Sequence, residues 1–253
     1  MKLSQLKIDP EFQSKIPPLQ FEEEQQLEQN IIAEGRLLNP IITWNGYILD
    51  GHTRYRILKK HGFIKFEVEE IQLANKYEAL AWICKNQLGR RNLSPERKKF
   101  LLGKEYESTK LAVGGQPGNC NKINRCDQND HIDSEKRTCE RIAVEHGVGS
   151  ATVRRAEKYS RGIDAAEEAV PGAQEEILTG HIKATDEQIV ALASIPKEER
   201  TAILEELKKK KSDRDDTVLE RLKPNRPPPK PKPAPQKKKP TATENNTASQ
   251  AEQ

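Results

Sequence analysis

The sequence predicts three parts: a small α/β domain at the N-terminus, an all-α helix-turn-helix domain, and a disordered basic tail. The first half contains a hairpin signal with an Asn-Gly turn, and a helix, turn, helix pattern spans Thr138 to Arg161. Beyond Lys211 the chain alternates lysine with proline, which favours an extended segment. The expected boundaries are an N-terminal domain over 1–90, a connecting helix and polar loop over 91–134, a helix-turn-helix domain with supporting helices over 135–210, and a tail over 211–253.

Composition narrows the classes of protein that this chain can belong to. Only 34% of its 253 residues are apolar and 32% are charged, so part of the chain cannot bury enough surface to offset ordering entropy. No stretch has the length of apolar sequence that a membrane helix needs, and no apolar signal follows Met1. We therefore expect a cytoplasmic protein without a membrane partner. The net charge of +4 is modest, so any contact with nucleic acid must depend on where the charge lies.

The four cysteines, Cys84, Cys120, Cys126 and Cys139, are scattered along the chain. This spacing is typical of free thiols in a reducing compartment. A zinc site formed by the last three with His131 is the alternative, but the Cys-x2-Cys knuckle of such sites is missing. We expect no zinc and no other metal ligand set.

The first elements follow from turn residues and periodicity. Glu22 to Glu34 is predicted to be a helix that ends at Gly35 in a left-handed conformation. Ile41 to Trp44 and Tyr47 to Leu49 are predicted strands, and Asn45-Gly46 between them suits a type I′ turn. A hairpin should therefore follow the first long helix.

The predicted domain continues with a helix from Gly51 to His61, a strand from Phe66 to Glu70 and a helix from Lys76 to Asn86. Ser94 can cap the next helix, because Pro95 suits a first helical position. The remaining predictions are a helix running to Val113, a polar loop from Gly114 to Asp133, and helices over Ala173 to Leu178, Asp186 to Ser194 and Glu198 to Lys210.

A candidate phosphate site lies where the second strand ends and the next helix begins. Gly51 permits a tight turn there, and the free N–H groups of a helix N-terminus together with its dipole favour an anion. Arg54 and Arg56 can add charge-assisted hydrogen bonds. The alternative is an ordinary glycine turn whose arginines pair with surface acids.

The segment from Asp50 to Arg56 resembles the Gly-Glu-Arg-Arg-x-Arg phosphate box of the ParB N-terminal domain, and also the Asp-Gly-His-His-Arg variant in relatives of that fold. The segment from Asn86 to Pro95 resembles the family's second box, Glu-Asn-Ile-Gln-Arg followed by a helix start. The resemblance implies a ParB/sulfiredoxin-like fold with a site for CTP and Mg²⁺ between the boxes, acting as a switch with at most weak CTPase activity.

The resemblance also assigns residues. Gly51, Thr53 and Arg54 would face phosphates and Arg90 would support them. His52 and Asn86 stand where the two family boxes have glutamate, so neutral groups replace carboxylates. The full predicted phosphate site is Gly51, His52, Thr53, Arg54, Arg56, Asn86 and Arg90.

An enzyme is the alternative class, because the fold resembles sulfiredoxin and a free-serine kinase, and some relatives are nucleases. Sulfiredoxin requires a cysteine where this chain has His52. In a small-molecule kinase, Asp50 would be the catalytic base or metal partner, with one of Glu22 to Glu24 as a second acid. A helix-turn-helix has no evident use in such a kinase.

The second motif runs from Thr138 to Arg155. Ala143 is small enough for two helices to cross closely, Gly147 supplies a positive-φ turn, and apolar side chains fill the space between the helices. Ser150 is predicted to cap the second helix. That helix presents Thr152, Arg154, Arg155 and Lys158 to the major groove and its phosphates. A helical hairpin with a solvated basic face is the alternative.

The motif occupies the position at which ParB proteins carry their helix-turn-helix. The resemblance therefore implies a bacterial, nucleoid- or plasmid-associated protein that binds double-stranded DNA in plasmid, phage or chromosome partition or in transcriptional regulation. A partition ATPase and a homodimer are the further expected partners, although nothing after Leu222 resembles the family's dimerisation domain. Lysines at 208–211 and 237–239 would add nonspecific DNA affinity or simply keep the tail soluble.

Overall fold

The computed structural model describes residues 2–90, 92–112 and 138–222, all of which fall in one compact unit. Its first part contains a 3-10 turn over Leu3–Gln5, helices α1 (Pro10–Ser14), α2 (Phe21–Glu34), α3 (His52–Lys60) and α4 (Lys76–Leu88), and strands β1 (Ile41–Trp44), β2 (Tyr47–Asp50) and β3 (Val68–Glu70). These bounds confirm the predicted order of helix, hairpin, helix, strand and helix. The small mixed sheet surrounded by helices agrees with the predicted α/β character.

The sheet has the order β2-β1-β3, with β1 antiparallel to β2 and parallel to β3. Asn45 and Gly46 both have positive φ, 49° and 77°, as the predicted type I′ turn requires. The pairing of β1 with β2 shifts between Ile42 and Thr43, which indicates a bulge. Ile48 and Leu49 of β2 are both fully buried, which requires that both faces of this strand are covered, since neighbouring strand residues normally point to opposite faces.

Two apolar clusters stabilise this domain. The cluster that includes Ile48 joins β1 and β2 to α2 and α3 through Ile31, Tyr55 and Leu58. The cluster that includes Leu49 joins β2 to α1 and α4. Because Ile48 and Leu49 pack into separate clusters, the end of β2 is held by both, and Asp50 follows directly in the chain.

The second part of the described chain is helical. It contains α5 (Pro95–Ala112), α6 (138–145), α7 (Ser150–Ala169), α8 (Ala173–Leu178), α9 (Asp186–Leu192), α10 (Lys197–Lys208), α11 (Asp216–Leu219) and 3-10 turns over Lys211–Asp213 and Glu220–Leu222. The predicted N-terminal helix signal is confirmed, since the N–H of Arg97 donates to Oγ of Ser94 at 3.2 Å. Within the described ranges, no helix is both long and apolar enough to cross a bilayer.

Helix α7 contacts its neighbours through two glycines. An added Cβ on Gly103 of α5 would lie 2.2 Å from the carbonyl oxygen of Ala156, and one on Gly162 would lie 2.0 Å from that of Ile189. Both distances are far below van der Waals contact, so only glycine permits these crossings of α5 with α7 and of α7 with α9. Helix α5 also packs against α4, which connects the helical part to the α/β part.

The predicted start of the tail at residue 211 is wrong. Residues up to Leu222 form short helical turns, and Leu219 and Leu222 are 9% and 1% exposed in the main helical core. Two leucines three residues apart lie on the same face of a helical turn and can be buried together. The charged residues around them made this segment resemble a solvated tail in the sequence. The predicted loop from Gly114 to Asp133 and the Lys/Pro segment after Leu222 lie outside the described residues.

Candidate functional site

A cavity of about 560 Å³ lies at the junction of β2 and α3. The polar part of its lining includes five residues of the predicted phosphate site, together with Asp50. Much of the rest of the lining is apolar. The lining residues are Ile16, Pro17, Leu19, Leu27, Asn39, Pro40, Ile42, Asp50, Gly51, His52, Thr53, Arg54, Glu69 and Arg90.

In the polar part of the lining, Asp50 accepts hydrogen bonds from two arginines. Nη2 of Arg54 donates to its Oδ2 at 2.7 Å, and Nη2 of Arg90 donates to its Oδ1 at 3.0 Å. Arg54 also donates from Nη1 to the carbonyls of Asn39 and Pro40, at 3.0 and 2.9 Å. The three contacts fix the side chain of Arg54 in place. Among the described residues, the Arg90 side chain hydrogen-bonds to this carboxylate alone, and it is 41% exposed.

Gly51 forms the cap of α3 with φ of 99°, a conformation that side chains disfavour. An added Cβ would lie 3.1 Å from two guanidinium nitrogens of Arg54, so a larger residue would also press on that arginine. In the described structure no side chain caps this helix. The N–H groups of its first turn, beginning at His52, therefore remain available to an anion.

His52 is buried at the start of α3, with 6% of its surface exposed. Neither imidazole nitrogen has a hydrogen-bond partner among the described residues. Burial lowers the pKa of His52 to about 4; the charge of Asp50 opposes this shift and that of Arg56 adds to it. The side chain is therefore a neutral polar group at the cavity without a hydrogen-bond partner. Such groups destabilise the folded state, so each one calls for a functional explanation.

Two predicted phosphate residues do not line the cavity. Arg56 is exposed and donates from Nη2 to Oε2 of Glu24 at 3.1 Å, as the glycine-turn alternative expected. Asn86 is exposed near the end of α4. The apolar residues of the lining, such as Ile16 and Leu27, were not predicted. They are distant in sequence from the phosphate motif, so no local signal indicates that they share a cavity with it.

The predicted DNA-reading segment forms two helices joined by a tight turn. Gly147 has φ of 64°, and the N–H of Val148 donates to the carbonyl of Ala143 at 2.9 Å. Ile142, Ala143 and Val153 are buried together between α6 and α7, as the motif predicts. The relative position of the two helices is thereby fixed.

The first turns of α7 carry an exposed polar and basic surface, formed by Thr152, Arg154, Arg155 and Lys158. None of the three cations makes an ion pair or hydrogen bond with a described residue. By contrast, Arg161 on the same helix donates to Glu157 at 2.8 Å. We call these four residues the α7 basic surface.

The prediction that Ser150 caps α7 is wrong. Gly149 is the cap residue, no side chain bonds to the helix end, and Ser150 is the first helical residue. The carbonyl of Ser150 instead accepts from Sγ of Cys139 at 3.2 Å. Glycine and serine both occur at helix N-caps, so the sequence alone did not show which of the two adjacent residues would be the cap.

A buried polar group joins α6 to α5. Nε2 of His146 lies 2.7 Å from Oε2 of Glu105, and Lys85 of α4 forms an ion pair with Glu145. Glu105, Glu145 and His146 are also the group among the described residues whose ligand atoms lie close enough, within 4.8 Å, to hold a metal ion. Of the four residues in the alternative zinc site, which we did not expect to form, only Cys139 falls in the described ranges.

Solved structures similar to this chain include two proteins of the ParB type. The Pnob8-like ParB-N domain is 18% identical over 83% of this chain and 83% of that chain, with a TM-score of 0.47. The C-terminally truncated chromosome-partitioning protein ParB from Caulobacter crescentus, complexed to the centromeric parS site, is 17% identical over 80% of this chain and 89% of that chain, with a TM-score of 0.35. No family model matches the chain, and no curated protein matches it.

Proposed function

We propose that this chain is a ParB-like protein that binds double-stranded DNA through the α7 basic surface. The observation that carries the proposal is that Arg154, Arg155 and Lys158 are exposed on one helix without ion pairs to described residues. Unpaired cations on a rigid helix can contact phosphates and base edges without first breaking an internal interaction. The first helix and the glycine turn hold this surface in place.

The motif resemblance supports partition of a plasmid, phage or chromosome, or transcriptional regulation, as the process. A homodimer is the expected state on DNA, since symmetric half-sites suit a paired helix-turn-helix. A partition ATPase is the protein partner that the same resemblance suggests. Within a cell, these interactions would place the protein on the nucleoid or on a plasmid.

A gel-shift assay with a pool of bacterial DNA fragments, followed by sequencing of the retained fragments, tests the proposal. The double variant Arg154→Ala, Arg155→Ala should lose specific retention. The control variant Arg161→Ala, Lys197→Ala removes the same charge from residues that form ion pairs elsewhere. Equal binding by the first variant and the unmodified chain would refute the role of this surface, and equal loss in both variants would indicate a nonspecific charge effect.

The cavity supports a second activity, the binding of a nucleotide such as CTP that gates DNA binding. The cavity lining combines the uncapped N-terminus of α3 and Arg90, which suit phosphates, with apolar side chains that suit a base or sugar. Thermal shift and calorimetry with CTP, ATP, ADP and GTP test this activity. Stabilisation by CTP alone would support gating, whereas stabilisation by ATP or ADP would favour the kinase class with Asp50 as its base.

A further inference from the structure

We infer that the cavity holds the phosphate groups of its ligand without a bound magnesium ion, and that Arg90 leaves Asp50 to contact them. This inference rests on the proposed nucleotide site. It departs from the family resemblance, which implies CTP with Mg²⁺, and it follows from the arrangement of carboxylates and cations at the cavity.

The Asp50 carboxylate is a poor magnesium ligand in this structure because its two oxygens are already occupied. Oδ2 accepts from Arg54 at 2.7 Å and Oδ1 accepts from Arg90 at 3.0 Å. Magnesium demands near-ideal octahedral oxygen ligands and is usually held by one or two carboxylates with the ligand's phosphates. Two guanidinium groups at the same carboxylate would repel the ion.

The other positions do not replace this carboxylate. His52 offers only imidazole nitrogens, which are soft for magnesium, and both are buried. Asn86 lies outside the cavity lining. Glu69 is the remaining carboxylate of the lining, and it is exposed. Among the described residues, the group of three side chains that could hold a metal ion is Glu105, Glu145 and His146, none of which lines this cavity.

Cations and N–H groups can instead neutralise the phosphates directly. The α3 N-terminus offers uncapped N–H groups, and His52 at the same helix end lines the cavity with an imidazole that has no hydrogen-bond partner among the described residues. Arg54 cannot move without losing its hydrogen bonds to two backbone carbonyls. The Arg90 side chain, by contrast, has a single partner among the described residues, at 3.0 Å, and is exposed. Arg90 can therefore leave Asp50 and contact the phosphates at little cost in free energy.

Calorimetric titration of the full chain with CTP, inorganic tripolyphosphate and cytidine, each in EDTA and in excess Mg²⁺, tests the inference. CTP and tripolyphosphate should bind in EDTA at least as tightly as in Mg²⁺, because the ion screens the ligand's charge from Arg90. Binding that is about tenfold or more tighter in Mg²⁺ would overturn the inference while leaving the nucleotide site intact. Absence of CTP binding in both buffers would refute the nucleotide site, and this inference with it.

Three variants identify the groups involved. Arg90→Gln should weaken CTP by about tenfold or more and leave cytidine unchanged. Asp50→Asn should tighten CTP in EDTA, since it removes a negative charge and releases Arg90; a loss of Mg²⁺-dependent binding in this variant would instead identify Asp50 as a metal ligand. Glu69→Gln removes the other carboxylate of the cavity lining, and weaker binding of CTP in Mg²⁺ by this variant would also contradict the inference. Circular dichroism confirms that each variant is folded.

Discussion

Nε2 of His146 and Oε2 of Glu105 are 2.7 Å apart, and this contact joins the end of α6 to the middle of α5. Glu105 is 4% exposed, so its carboxylate depends on the imidazole as a partner. Burial raises the pKa of Glu105, and the neighbouring His146 opposes that shift. The first helix of the predicted DNA-reading segment is therefore held by a pair whose strength depends on protonation.

Replacement of His146 by alanine should destabilise the chain by about 2 kcal/mol at pH 8, because a buried carboxylate is left unpaired. The pKa of Glu105 would then rise further above its unfolded value. Stability that depends on a raised pKa is present at low pH and is lost as pH rises, so the deficit should shrink at pH 5.5. Urea unfolding at both pH values measures it. In the control Glu105→Gln, His146→Ala, a pH dependence as large as in the single variant would contradict this assignment.

His52 should make the chain less stable in mild acid. The lowered pKa of about 4 means that the folded form stays neutral while the unfolded form, near 6.5, takes up a proton. Stability is then fully present above about pH 6.5 and falls as pH drops towards 4. Between pH 7 and 5 the unmodified chain should lose about 2 kcal/mol more than His52→Gln in urea unfolding. Parallel losses in the two proteins would show that His52 is not buried in neutral form.

Gly162→Ala should destabilise the chain by about 3 kcal/mol or more, since its Cβ would lie 2.0 Å from the carbonyl oxygen of Ile189. Gly62→Ala is the matched control, because Gly62 has no neighbouring atom within 4 Å and no positive φ. Thermal unfolding should separate the two variants by several degrees. Similar melting temperatures would mean that α7 and α9 do not cross this closely.

Leu222 should contribute to the helical core although it follows a charged segment. Leu222→Ala is expected to cost about 2 kcal/mol, because the side chain is 1% exposed and its removal leaves a cavity. Leu38→Ala, at a position that is 68% exposed, should change stability by less than about 0.5 kcal/mol. Denaturant unfolding of both variants measures the difference, and a silent Leu222→Ala would restore the tail boundary at residue 211.

Salt dependence should distinguish phosphate contacts from base contacts on the α7 basic surface. If Lys158 contacts a phosphate, Lys158→Ala should reduce the slope of log K against log salt by about one and weaken all DNA sequences alike. Lys197→Ala removes a lysine whose partner is Glu168 and should leave the slope unchanged. Fluorescence anisotropy over a range of salt concentrations gives both slopes.

Local signals in the sequence were sufficient for most of the elements. Gly35 ends α2 with φ of 65°, and Asn45-Gly46 form the hairpin turn, because few residues other than glycine and asparagine adopt positive φ. The helix N-terminus at Ser94-Pro95 depends on capping chemistry within four residues. Such features are properties of short segments and can be predicted without knowledge of tertiary contacts.

Features that depend on tertiary contacts were not predictable. Arg54 carries the sequence signature of a phosphate ligand, yet two backbone carbonyls and Asp50 engage it. The tight crossings at Gly103 and Gly162 lie inside helical patterns, where a glycine appears only as a weak helix former. In each case the partner is distant in sequence, so the pattern shows the residue type but not what it contacts.

The two glycine crossings control the tilt of α7, and a small tilt moves the N-terminal end of this long helix by a much larger distance. Gly162 lies twelve residues from Ser150, which is about 18 Å along the helix axis at 1.5 Å per residue. A tilt of about 5° at Gly162 would therefore displace the exposed end by roughly 1.5 Å, while hydrogen bonds tolerate only a few tenths of an ångström. The second crossing, of Gly103 with Ala156, restrains that tilt midway between Gly162 and Ser150. A methyl group added far from any ligand would thus be enough to misalign the whole basic surface.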